Sequence, residues 1–124
     1  MTQINHPTHY TQRTAECFEI FEHLPGLLAA AIKYLWRYDA KGTPREDLHK
    51  CVAYCDRYLG DPRGRGARML PDISEQIALA SKIELCWGLD TLRGQAIALI
   101  VAGDVRSARS LVIRMLDSIA EGPL

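Results

Sequence analysis

The sequence predicts an all-α protein, and three observations carry that expectation. Apolar residues recur at three- and four-residue spacing along most of the 124 positions, and strand-like alternation is nowhere convincing. Helix N-terminal signals stand at Thr43-Pro44-Arg45-Glu46 and Asp72-Ile73-Ser74-Glu75, while Gly60, Gly88 and Gly103 close periodic stretches. The composition, 48% hydrophobic, 24% charged and 7% aromatic, fits one globular domain or one domain with an appendage, and excludes two full-sized domains. Five or six helices are expected, in two antiparallel hairpin-like groups within 1–59 and 69–124, joined by a Gly/Arg-rich loop at 60–68.

Residues 1–13 are polar, carry Pro7 and lack periodicity, so they read as an N-terminal arm. From Thr14, the spacing of Cys17, Phe18, Ile20, Phe21 and Leu24 predicts a short amphipathic helix, which Pro25-Gly26 ends. Leu27 to Tyr38 follows as a second helix: Leu27, Leu28, Ala31, Ile32 and Leu35 share a stripe, and three consecutive alanines favour the helical state. Thr43-Pro44-Arg45-Glu46 has the pattern of a capping box with proline at the first helical position. The Thr43 hydroxyl and Glu46 carboxylate are expected to satisfy N–H groups there. The helix it opens turns Leu48, Val52, Cys55 and Leu59 to the core and stops at Gly60.

Gly60 to Arg68 holds three glycines, a proline and three arginines, the pattern of a linker or exposed loop and the one net-positive segment of the chain. Beyond it, Ile77, Ala80, Ile83 and Trp87 predict a helix from Asp72 to about Gly88. Asp90 is expected to cap a helix through Ala102. Asp104 opens a last one bearing Val105, Ala108, Leu111, Met115 and Ile119.

Charge and motif content narrow the function. Fifteen basic and fifteen acidic side chains give formal net charge zero, so no global field draws the chain to nucleic acid or an anionic membrane, and no extended nucleic-acid binding is expected. No apolar run nears the roughly 18–20 residues of a membrane span, and the first residues lack a signal-peptide pattern, so the expected location is cytoplasmic. The four cysteines, Cys17, Cys51, Cys55 and Cys86, are read as reduced and mostly buried thiols. Cys51 and Cys55 could offer two thiolates to a metal, but a closed zinc site needs two further ligands. A P-loop, a Gly-x-Ser-x-Gly elbow, a His-Glu-x-x-His pair and the paired carboxylates of MazG-like pyrophosphatases are all absent.

The polar residues of the N-terminal half are denser than core packing demands. His6, His9 and Tyr10 lie together in the arm; Lys33, Arg37 and Lys41 follow at four-residue spacing; Asp47, Lys50, Tyr54 and Arg57 recur at three, four and three, with Glu46 one turn before Lys50. If the two helical faces meet, cations and carboxylates converge on one groove, with Tyr34, Trp36 or Tyr54 available to stack on a base. Lysine and arginine neutralise phosphate oxygens, aromatic faces hold the base, and carboxylates position Mg²⁺ or accept a proton. The alternative keeps Glu46–Lys50 as a surface pair, Lys33 and Arg37 as solvated charges or complements to a helix C-terminus, and the aromatics as core.

In order, His6-Pro7-x-His9-Tyr10, Glu16-Cys17 with Ile20, Ala31-Ile32-Lys33-Tyr34-x-Trp36-Arg37, Lys41-Gly42, and Glu46-Asp47-Leu48-x-Lys50 with Tyr54 and Arg57 make up a series of short motifs. The series resembles a small bacteriophage domain family of long-unknown function that includes the nucleotide kinase of T-odd phages. The resemblance covers about residues 4–59. It departs from the family pattern at Ala29-Ala30, where Gly-Asn is common and an Asn amide contact would be lost.

What the resemblance implies is a nucleotide-handling protein acting in the cytoplasm of an infected bacterial host, its kinase relative phosphorylating deoxynucleoside monophosphates without a P-loop. Carried over, Lys33, Arg37 and Asp47 take catalytic roles, and His6, His9, Tyr10, Glu16, Tyr34, Lys41, Glu46, Lys50 and Tyr54 bind substrate, with ATP as phosphate donor and Mg²⁺ as its companion. Asp47 or Glu46 would hold that ion or assist proton transfer, and His6 or His9 would close the site. Two alternatives stand beside it: sequestration of a nucleotide second messenger without turnover, and a helical host-interaction protein. The apolar content of 92–119 adds an expectation of homo-oligomers.

Overall fold

The computed structural model describes residues 17–40, 42–60 and 70–119, and the regular structure among them is entirely helical. A helical segment at 17–21 precedes five longer helices: α1 (Gly26–Arg37), α2 (Pro44–Leu59), α3 (Ile73–Trp87), α4 (Leu92–Ala102) and α5 (Val105–Ser118). The all-α expectation holds. The expected arm, and the Gly/Arg-rich stretch from 61 onward, lie outside the described residues.

Cys17 and Ile20 of the first segment are buried, but Phe18, expected on the apolar face, is 56% exposed, its ring tilted by 58° against that of Phe21 with centroids 4.9 Å apart. On α1 the buried stripe is Leu28, Ala31, Ile32, Leu35 and Trp36, one step round from the expected one, leaving Leu27 half-buried. α2 starts at Pro44 as expected, yet the capping box does not close. Thr43 has φ −127° and ψ 55°, and its side chain makes no cap hydrogen bond. Asp72, with extended backbone at ψ 176°, closes both bonds of its box. There Asp72 Oδ1 accepts from the Glu75 N–H at 2.9 Å, and Glu75 Oε1 accepts from the Asp72 N–H at 3.3 Å.

α3 buries Leu79 and Ile83, whereas Ile77, part of the apolar series that predicts the helix, is exposed. The reason is placement. α3 lies along α4, with Trp87 reaching Trp36 of α1 and Lys82 pairing with Glu19 of the first segment, and Ile77 is left at 65% exposure. α4 is capped by Thr91, not Asp90: Thr91 Oγ1 accepts from the Gly94 N–H at 3.0 Å. α4 touches α1, α3 and α5 and buries Ala96, Ile97, Ile100 and Val101, which is why it is apolar on several sides. A side chain at Gly94 would collide with the Gly88 carbonyl, and Gly103 ends the helix in the left-handed region at φ 92°. Asp104 then caps α5 as expected, accepting from the Ser107 N–H at 3.2 Å.

The packing does not stop at the boundary between 1–59 and 69–124. α2 packs on α5 and α1 on α4, and the buried residues of both halves belong to one cluster. Three arginines tie the same seam. Arg45 donates to the Leu116 and Ile119 carbonyls at the end of α5, Arg109 pairs with Asp56, and Arg93 reaches the end of α1. No described helix is long and apolar enough to cross a membrane.

Candidate functional site

α1 and α2 have the most extensive contact in the fold, and it rests on Leu28, Ile32, Leu35, Leu48, Val52 and Cys55. With those stripes turned inward, the flanking positions of the two helices come together at the surface. The Tyr34 and Tyr54 rings lie nearly parallel, 12° apart in tilt with centroids 6.0 Å apart. Two cations sit on Tyr34: the Arg37 guanidinium 5.2 Å and the Lys50 ammonium 5.3 Å from its centroid. Arg57 joins Tyr34, Lys50, Ala53 and Tyr54 in lining a cleft of about 270 Å³.

Lys33 stands one turn before Arg37, and both act on the buried Cys17. Burial pushes the Cys17 thiol up to about 12, and the two cations hold part of that rise back. The basic surface thus runs from Cys17 past Arg37 to the tyrosine pair. The Nε of Arg37 is buried and has no hydrogen-bond partner among the described residues.

Carboxylates are distributed differently from the expectation. Glu46 is exposed and pairs with Lys50 at 3.7 Å, as in the surface-pair alternative. Asp47 was expected on one face with Lys50, Tyr54 and Arg57, but it is 1% exposed while Lys50 and Arg57 face solvent. Its Oδ2 has no hydrogen-bond partner among the described residues. Trp36, expected as a stacking candidate, is buried against Trp87 edge to face at 5.4 Å and is withdrawn from the cleft. His6, His9, Tyr10, Glu16 and Lys41 lie outside the described residues.

Cys51 and Cys55 are buried free thiols, in keeping with the expectation for the cysteines. Cys51 hydrogen-bonds to Cys55, which raises Cys51 and lowers Cys55. Among the described residues no three His, Cys, Asp or Glu side chains converge to hold a metal.

Residues 4–56 match the family model DUF3310. It is described as a protein of unknown function, and the match spans 53 of the 124 residues, about two fifths of the chain. The matched segment includes Tyr34, Arg37, Lys50 and Tyr54; Arg57 stands one residue beyond it. No curated protein and no solved structure matches the chain.

Sequence reasoning passed over Arg93, the most buried cation among the described residues at 7% exposure. Its signal was available: it is the lone charge in the apolar run Leu92–Ala102. It donates to the Trp36 carbonyl at 3.3 Å and to Asp39 Oδ2 at 2.6 Å, with Tyr38 and Trp87 rings over its plane at 4.2 and 3.8 Å.

Proposed function

We propose that this chain binds a nucleotide at the Tyr34–Tyr54 cleft and acts as a nucleoside-monophosphate kinase without a P-loop. The observation that carries the binding is the pair of parallel tyrosines ringed by Arg37, Lys50 and Arg57. An aromatic face supplies a site for a base, and cations set around it supply phosphate contacts. At about 270 Å³ the cleft suits a ring rather than a whole nucleotide, so ribose and phosphates would run out along Arg37 and Lys33. The kinase activity is what the resemblance to the bacteriophage family adds.

In that reaction an oxygen of the monophosphate attacks the γ-phosphorus of ATP, the bond from that phosphorus to the bridging oxygen breaks, and ADP leaves with its electron pair. The protein's share is charge neutralisation and alignment, the work of Lys33, Arg37 and Lys50. Mg²⁺ would ride on the phosphates, since among the described residues no three His, Cys, Asp or Glu side chains gather to hold it. The Asp47 carboxylate, whose Oδ2 is unpartnered among the described residues, stands one turn from the Lys50 position and would orient a cation or ligand group.

The test is incubation of the purified chain with mono-, tri- and cyclic nucleotides, with and without Mg²⁺, followed by mass spectrometry of bound ligand and product. ATP-dependent formation of a diphosphate is expected, with a loss of at least about tenfold in Lys50→Ala and Arg37→Ala. Nucleotide recovered bound and unchanged would replace the kinase reading by sequestration, and no binding would remove the cleft from nucleotide chemistry.

A further inference from the structure

Arg37 is the last residue of α1, and the last turn of a helix has carbonyls without helical partners and frays unless something outside the helix holds it. Its guanidinium has no acidic partner among the described residues, its Nε is buried without an acceptor there, and it lies 5.2 Å from the Tyr34 ring. Where that side chain points is therefore set by the backbone at the end of α1.

One side chain grips that end. Arg93 of α4 donates from one terminal nitrogen to the Trp36 carbonyl at 3.3 Å and from the other to Asp39 Oδ2 at 2.6 Å, and its guanidinium lies 4.2 Å from the Tyr38 ring. Residues 36, 38 and 39 bracket Arg37 in the chain, and the Arg37 carbonyl itself accepts from the Ala40 N–H at 3.0 Å. A guanidinium is planar and rigid, so two bonds made from one fork fix the spacing of Trp36 and Asp39 and with it the turn between them. Arg93 is itself immobilised, buried to 7% exposure with the Trp87 ring at 3.8 Å.

We propose that Arg93 is a positioning residue for the nucleotide site and acts through Arg37: it locks the last turn of α1 so that the Arg37 guanidinium stays beside Tyr34. The effect on ligand affinity rests on the nucleotide reading of the cleft, whereas the placement of Arg37 does not. Arg93 lies beyond the residues matched by DUF3310, so the C-terminal half orders a site whose cations and aromatic rings stand on α1 and α2. A phosphate contact is worth most when its donor is already in place, and misplacing an aligning group by about 1 Å costs up to about a hundredfold. The Asp39 side chain is 57% exposed, so the grip can be loosened from the surface without opening the core.

The first readout uses no ligand: the arginine Nε–H region of the proton–nitrogen correlation spectrum of the full chain, with the Arg37 signal assigned by its loss in Arg37→Lys. Arg93→Lys keeps the charge without the fork, and Asp39→Ala removes the exposed acceptor. In both, the Arg37 signal is expected to move toward the position of free arginine while thermal unfolding stays cooperative. Arg45→Ala, which removes a different tie across the seam, is expected to leave that signal in place. The second readout is ATP binding by calorimetry. Asp39→Ala is expected to weaken it about threefold and Arg93→Lys about tenfold, while Arg93→Lys added to Arg37→Ala weakens it no further than Arg37→Ala alone. An Arg37 signal unmoved in both variants overturns the inference whether or not ATP binds. Additive losses in the double variant overturn it as well, because Arg93 then acts on the fold and not through Arg37. A parent chain that binds no ATP overturns the nucleotide reading, and with it the part of Arg93 in affinity, while the spectrum still decides whether Arg93 places Arg37.

Discussion

Asp47 is the residue whose energetics and chemistry pull in opposite directions. Its carboxylate is inside the fold with one oxygen unpartnered among the described residues, and an unsatisfied buried polar group costs about 1–3 kcal/mol. Core packing alone would favour a neutral side chain of the same shape. Asp47→Asn is therefore expected to raise the urea-unfolding free energy by about 1 kcal/mol while lowering nucleotide turnover. A less stable Asp47→Asn protein would show instead that the charge is structural. The sequence pattern placed Asp47 with Lys50, Tyr54 and Arg57 because those spacings follow a helical face. That rule has a resolution of about one residue position, 100° of arc, too coarse to separate a buried edge from an exposed one.

At the scale of elements, the boundaries of α2, α3, α4 and α5 were legible because glycine, proline and short acceptor side chains act locally. Which cap bonds form was less so. Thr43 and Asp72 look alike in sequence, each with a glutamate three residues on, but both bonds of the box close at Asp72 and the Thr43 side chain makes no cap bond. Thr43→Ala is accordingly expected to change stability by less than about 0.5 kcal/mol and Asp72→Ala to cost about 1 kcal/mol, measured by urea denaturation. Equal losses at the two positions would mean that Thr43 closes its cap in solution. Ile77 shows the other limit. Helical periodicity says which residues share a side of α3, while the side that faces the body depends on α4 lying where it does.

For the whole molecule, the seam between 1–59 and 69–124 rests on residues distant in sequence, which local patterns cannot pair. The tyrosine pair of the candidate site was within reach because Tyr34 and Tyr54 belong to neighbouring helices. Arg93 and its acceptors are 54 and 57 residues apart and left no such trace. Arg93→Met would strand the Trp36 carbonyl and remove the cation from between Tyr38 and Trp87. It is expected to cost about 2–3 kcal/mol in urea denaturation. Arg109→Ala, which breaks an exposed pair with Asp56, is expected to cost less than about 1 kcal/mol. Similar costs for the two would mean that the Arg93 contacts do not set the strength of the seam.

Arg93 also gives the molecule an optical gauge. The chain has two tryptophans. Trp36 from α1 and Trp87 from α3 meet edge to face, and the same guanidinium holds the carbonyl of one and the ring of the other. Two indoles 5.4 Å apart couple their strong short-wavelength transitions, so the far-ultraviolet circular dichroism of the native chain is expected to carry an exciton couplet from this junction beside the helical signal. Opening of the junction extinguishes that signal whether or not the helices themselves unravel.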